Sequence, residues 1–196
     1  MIADQIKKDT LTHHQALEAL MVRQLKSIKL IADYTAILEI FYSYFGGLER
    51  QIKTQLHDNF ALAERRKADD LAADLAHFGE AIPPLATESD LPRIENHLQA
   101  VGALYVIEGS TLGGIYISQM ISKQLDLGND AAGISFFNGY GENTLTMWSD
   151  FKDYLNKQAS SSAEEQEIIS AANETFVKFK HWMEHYPRLK LTLEDE

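Results

Sequence analysis

VGALYVIEGSTLGGIYISQMI, running from Val101 to Ile121, is the stretch on which the reading of the chain turns. Its ends carry helix-compatible apolar residues: Leu104, Tyr105, Ile107, Ile115, Ile117, Met120 and Ile121. Its middle carries Gly109, Ser110, Thr111, Gly113 and Gly114, where side chains are small or absent. A glycine inside a helix costs about 1 kcal/mol relative to alanine, so two in a row call for compensation. On a 3.6-residue period Gly102, Gly109 and Gly113 share one side, with Ser110 and Gly114 beside them. Such a side is a strip of bare backbone. Either another backbone packs closely on it or a large flat ligand does, and the helix can kink at the glycine pair. Close helix packing is the commoner cause of a lone pair, so the strip by itself leaves both readings open.

Working outward, the chain reads almost wholly as helix. From Asp4 to about Ile31 a stripe of Leu11, Leu17, Leu20, Met21, Leu25 and Ile28 predicts the first helix. Asp33 is placed to cap the second, whose face runs Tyr34, Ile37, Phe41, Phe45, Leu48, Ile52, Leu56, with Gly46 and Gly47 as an interruption and a second close approach. A third spans about Ala61 to Phe78 and stops at Gly79. Pro83 and Pro84 break the helix pattern, and Ser89 or Asp90 starts the long glycine-bearing helix, with Pro92 in its first turn and Gly128 at its end. A less regular stretch follows to Gly141, then a helix from about Glu142 to Gln158. Ser162 with Glu165 reads as the capping box of the last helix, which buries Ile168, Ala172, Phe176, Phe179, Trp182 or Met183, and Tyr186. No strand alternation, hairpin signal or internal repeat stands out. The fold class is therefore all-α: a single compact multi-helix domain over residues 1–187, with 188–196 as a frayed tail.

Composition narrows the chemistry. With 196 residues, 45% of them hydrophobic, the chain buries a sizeable core. A formal charge of −11 supplies no basic excess for phosphates, which argues against nucleic acid as a partner. The absence of cysteine excludes disulfides, thiolate ligands, cysteine nucleophiles and covalent haem attachment, and suits a reducing compartment. There is no signal-peptide pattern and no run of 18 apolar residues, so the expected address is the cytoplasm, without a membrane span.

Seven histidines remain as the best source of chemistry. His57, His77, His97, His181 and His185 stand singly among polar neighbours and read as surface residues. His13 and His14 differ. Position 14 falls on the stripe 14, 17, 21, facing the interior side of its helix, where an imidazole needs a hydrogen bond or a metal. A di-iron site needs two Glu-x-x-His pairs, which are lacking. No Gly-x-Ser-x-Gly elbow, zinc motif or phosphate loop is present, and Glu108-Gly109-Ser110 has no histidine with a predictable place beside it.

An interior histidine on one helix and a glycine strip on another suit a flat, iron-bearing ligand, with imidazole on one face and bare backbone on the other. HHQALE (His13 to Glu18), YVIEGSTLGG (Tyr105 to Gly114), FFNGYGENTLTMWSDF (Phe136 to Phe151) and RRKADDLAADLAHFG (Arg65 to Gly79) resemble bacterial haem oxygenases of the biliverdin-forming, EGSTLGG-type branch. The matches run in order from near residue 7 to beyond Trp182.

The resemblance implies haem held non-covalently, as both substrate and prosthetic group, between the first helix and a glycine-kinked distal helix. It places the iron ligand at His14, with His13 as fallback and Glu18 one turn away. It makes Gly109, Ser110, Gly113 and Gly114 the distal strip that admits O2, with Ser110 at the position of an aspartate in the mammalian enzymes. Lys7 matches the basic position that meets a propionate; Tyr105, Lys178 and Lys180 are further rim candidates. Phe137, Tyr140 and Trp148 read as wall or core. Ile115-Tyr116 and Ser149 depart from kin, which carry polar or basic residues there. The implied reaction turns haem, O2 and external electrons into biliverdin, CO and ferrous iron, with a ferredoxin or flavoprotein reductase as donor. A non-catalytic haem-binding or sensing protein on the same fold is the alternative, and a helical interaction protein without haem is a third.

Overall fold

The structure, a computed structural model, describes residues 1–56, 60, 62–65, 68–127 and 132–186. Eight α-helices order these residues: α1 (Ile2–Asp9), α2 (Leu11–Ser27), α3 (Ile31–Leu56), α4 (Ala68–His77), α5 (His97–Leu125), α6 (Ser135–Asn138), α7 (Thr144–Leu155) and α8 (Ser162–His185). No strand occurs among the described residues, as the apolar periodicity requires. His57, Gly128, the expected helix start at Ala61 and the 188–196 tail lie outside them.

Helix α5 is the spine, packed on α8, α3, α6 and α7. By length and apolar composition alone it would suit a membrane. However, 61% of its apolar 18-residue window is buried in the protein's own core. Gly102 has no room for a Cβ, which would collide with the Ile168 carbonyl of α8. Gly114 is closed in the same way by the Phe137 carbonyl. Both glycines let a neighbouring backbone approach the spine. Below them an aromatic cluster fills the centre: Phe179 lies 4.7 Å from Tyr44, 5.0 Å from Phe45 and 5.1 Å from Phe41, ring centre to ring centre.

Several boundaries differ from the sequence reading, each for a local reason. The first helix is two, bent at Thr10, whose hydroxyl donates to the Ile6 carbonyl. Helix α3 begins before Asp33, whose carboxylate reaches back to accept from the Lys29 and Leu30 amides. It runs unbroken through Gly46 and Gly47, and the close approach there is real: a Cβ on Gly47 would lie 2.8 Å from the Ala86 carbonyl oxygen. Helix α4 begins only at Ala68, after a single turn at Leu62–Glu64, and Gly79 caps it at φ +76. Helix α5 starts at His97 rather than at Ser89 or Asp90. Residues 87–96 are engaged elsewhere, with Thr87 bonded to Asp90 and the Arg93 amide donating to Glu174 of α8. That leaves Asn96 to cap the helix by accepting from the Gln99 amide. Asp126, at φ 52, closes its C-terminus. Helix α7 is shorter than expected at both ends. In α8 the cap is Ser161, which accepts from the Glu164 amide, one residue ahead of the expected box. Met183 is the buried member of its pair with Trp182, and Tyr186 lies just past the helix end.

Candidate functional site

Helices α2 and α5 meet at two places. Near the start of α2, Thr10 lies beside Tyr105, whose phenol burial pushes up in pKa, with Thr10 offsetting part of that rise. Near its end, Gln124 Nε2 of α5 donates to the Leu25 and Ile28 carbonyls at 3.5 and 3.4 Å. At 1.5 Å per residue the joins are about 22 Å apart along α2 and about 28 Å apart along α5. The spine therefore takes the longer path, and α2 rests on α8, not along α5.

The residues between these two meetings include His14 on α2 and Gly109, Ser110 and Gly113 on α5. One helical turn on from Thr10 is His14, and one turn on from Tyr105 is Gly109, so each follows its join on the same face. His14 is exposed, not interior as its stripe suggests. The stripe fails because α8 is met by neighbouring positions and leaves His14 at the margin, its ring 5.4 Å from that of Phe176. His13 turns to a separate pocket of about 180 Å³ between α2 and α8, shared with Phe176, Lys180 and His181.

On α5, Gly113 is exposed and a Cβ there would meet nothing within 4 Å. Gly109 is half-buried, with room for a Cβ 3.7 Å from Trp148. Ser110 is exposed and donates its hydroxyl hydrogen to the Ile107 carbonyl at 2.7 Å. Thus the strip is divided by neighbour: Gly102 and Gly114 face backbone, Gly109 faces the Trp148 indole at van der Waals distance, and Gly113 faces open room. Leu112 and Tyr116, both exposed, line the same helix.

The expected rim is scattered. Lys7 is exposed on α1 and Glu18 is exposed on α2, one turn from His14. Lys178 donates to the Ser89 carbonyl, and Lys180 pairs with Glu184 at 2.6 Å. Tyr105 is buried, and Phe137 is core. Trp148 stacks on Phe151 and meets Tyr105 at a tilt of 49°, forming the wall behind Gly109. His97 is not a plain surface residue: its Nε2 lies 2.6 Å from Gln158 Oε1.

Sequence reasoning missed a buried group behind the strip. Glu108 is paired with Arg65 and accepts from Tyr140. An acidic residue inside an apolar run was the available signal, but its partner lies outside any helix.

Known proteins bear on this arrangement. The sequence model of the family described as "Heme oxygenase" matches residues 1–185. The haem oxygenase of Xanthomonas campestris pv. campestris (strain 8004) is 29% identical over 152 residues, 74% of this chain and 86% of that protein. Among solved structures, the NO- and CO-bound haem oxygenase of Neisseria meningitidis superposes with a TM-score of 0.74 at 22% identity, covering 93% of this chain and 90% of that one. The haem oxygenase of Leptospira interrogans gives 0.74 at 20%, with 93% and 98% covered. Haem oxygenase 2 of Chlamydomonas reinhardtii, solved without haem, gives 0.79 at 19%, with 95% and 97% covered. These structural likenesses establish the fold.

Proposed function

The chain belongs to the haem oxygenase family and is a haem-degrading enzyme, and from that premise we propose that its substrate lies in the gap between α2 and α5. One observation carries the placement. Helix α2 meets α5 near Tyr105 and again at Gln124; on the residues between these meetings His14 is exposed, and α5 lacks side chains at Gly109 and Gly113, which supports a slot there. A flat tetrapyrrole matches that space better than interlocking side chains would.

In this reading His14 supplies the proximal imidazole, and its contact with Phe176 limits how the ring can turn. Glu18 stands close enough along α2 to tune or hydrate that imidazole. Gly109 and Gly113 keep the opposite wall low, leaving room for O2 against a meso edge. Ser110 donates its hydrogen to the Ile107 carbonyl, so in this reading main chain and an ordered water provide the polar contact on that side, with the Ser110 oxygen able to help hold that water. Gly114 supports this wall from behind by letting the Phe137 backbone approach. Lys7 is the cation set toward a propionate, and Tyr105 closes the end of the gap. Bound there, haem supplies the oxidisable ring and the redox-active iron, while the protein supplies holding, orientation and access. The proposed products are biliverdin, CO and ferrous iron, with O2 as oxidant, a ferredoxin or flavoprotein reductase as electron donor, and the cytoplasm as address.

The test is hemin titration of the purified chain, followed by reductant under air. A Soret band that then decays as a biliverdin absorption rises is the expected result. No Soret band would end the placement, and a haem complex that survives reductant and air would end the turnover part of the proposal.

A further inference from the structure

A carboxylate unused in the proposal above sits directly behind the bare main chain. Glu108, one residue before Gly109, is 1% exposed. Its Oε2 lies 2.6 Å from Nη1 of Arg65, which is also buried. Tyr140 donates its hydroxyl to the same carboxylate, at 3.0 Å from Oε1 and 3.2 Å from Oε2. Arg65 Nη1 donates onward to the Met147 carbonyl at 3.1 Å, and its guanidinium stands 4.1 Å from the centre of the Phe60 ring. Arg65 and Tyr140 thus both hold one side chain of α5, and Arg65 is itself held by Phe60 and by the Met147 carbonyl of α7.

Such a pair is a poor device for stability. Apolar residues of similar volume usually do as well in a core, because taking two charges out of water offsets most of their attraction. What the pair adds is direction, since short charge-assisted hydrogen bonds hold position and angle together. Direction is what this turn of α5 otherwise lacks. Glycines offer no knobs to lock a helix against rolling. The hydroxyls of Ser110 and Thr111 turn back onto their own helix, at the carbonyls of Ile107 and Glu108. Glu108 lies about 120° round the helix from the Gly109–Gly113 line, so a grip there controls roll.

We propose that Arg65, Glu108 and Tyr140 form a positioning cluster that sets the height and roll of Gly109, Ser110 and Gly113 over the substrate, and so selects which meso carbon is cut. The inference rests on the placement of haem argued above. Neither Glu108 nor Arg65 touches the substrate; both act through the main chain that does.

The experiment compares the wild-type chain with Glu108→Gln, Tyr140→Phe and the paired Arg65→Met/Glu108→Leu. The readouts are thermal melting, hemin affinity, turnover rate and the regioisomer ratio of the cleaved product. The paired variant is expected to melt near the wild type and bind hemin, yet to change the isomer ratio and turn over roughly tenfold more slowly. Tyr140→Phe, which keeps the ring, is expected to shift the ratio in the same sense but less. A purely structural role would move the melting temperature and leave the ratio alone. Wild-type ratio and rate in folded, hemin-loaded paired and Tyr140→Phe variants would overturn the inference while leaving the haem placement standing. A wild-type chain that binds no hemin would overturn both, so the two failures are distinguishable.

Discussion

Gly109 looks onto the indole of Trp148, whose Cη2 would lie 3.7 Å from a Cβ built at that glycine. One turn further, Gly113 faces nothing within 4 Å. Alanine therefore fits at both positions, and each substitution gains up to about 1 kcal/mol of helix propensity. At Gly102 and Gly114 the new Cβ would strike backbone, and alanine costs about 1–3 kcal/mol. Denaturant unfolding of the four single variants is expected to divide them in this way. A uniform response would contradict the division of the strip.

Gly113→Phe separates binding from folding. Its side chain enters open room, so the melting temperature is expected to stay near the wild type. Hemin affinity is expected to fall roughly tenfold, a loss of about 1.4 kcal/mol of contact. An unchanged hemin titration would show that the gap does not hold the ligand.

His14 is exposed, so His14→Ala is expected to alter stability by no more than about 0.5 kcal/mol. Its ferric hemin complex is expected to lose the imidazole-ligated spectrum and turnover, while His13→Ala keeps both. The reverse pattern would move the ligand by one residue.

Asp74 of α4 is a buried staple for α6. It accepts from the Ser135 amide and hydroxyl at 2.9 and 2.6 Å and from the Phe136 amide at 2.9 Å. Burial nevertheless raises its pKa above the ordinary 3.8, outweighing those bonds. A carboxyl that is raised in the folded state binds its proton more readily there, so stability from this group is greatest in acid. It falls as pH climbs from about 4 through the raised value. Comparing wild type with Asp74→Asn by unfolding across that range isolates the effect, and the gap between them is expected to narrow as pH rises. A constant gap would contradict the shift.

A cavity of about 20 Å³ lies beside the Arg65–Glu108 pair, bounded also by Glu49 and Leu104. Arg65 Nε is buried without a hydrogen-bond partner among the described residues. The space suffices for one water. A high-resolution crystal structure is expected to show that water within hydrogen-bond reach of Nε, and empty density there would refute it.

The fold was readable from residue order because apolar spacing of three and four persists along α3 and α8, while α5 is marked by a near-continuous apolar run from Ala100 to Ile107. Periodicity marks buried faces, and it did so for Ile168, Ala172, Phe176 and Phe179. It could not show where neighbours end. His14 sits on a sound apolar stripe yet lies at the edge of α8, and Gly102 and Gly113 share a helical side yet meet different surroundings. The start of α5 was misjudged because Pro92 is permitted in a first turn, and only the tertiary bond from Arg93 to Glu174 settles that it is not there. The pairing of Arg65 with Glu108 was illegible for a plainer reason. The two lie 43 residues apart with a non-helical segment at one end, and local pattern carries no information on such a meeting.

The two meetings of α2 with α5, near Tyr105 and at Gln124, have a kinetic corollary for the proposed binding site. Contacts on both sides of a slot oppose a hinge-like parting, so loading of a rigid disc there would answer to flexure of the glycine-bearing span. A change that merely stiffens that span is then expected to slow exchange in both directions.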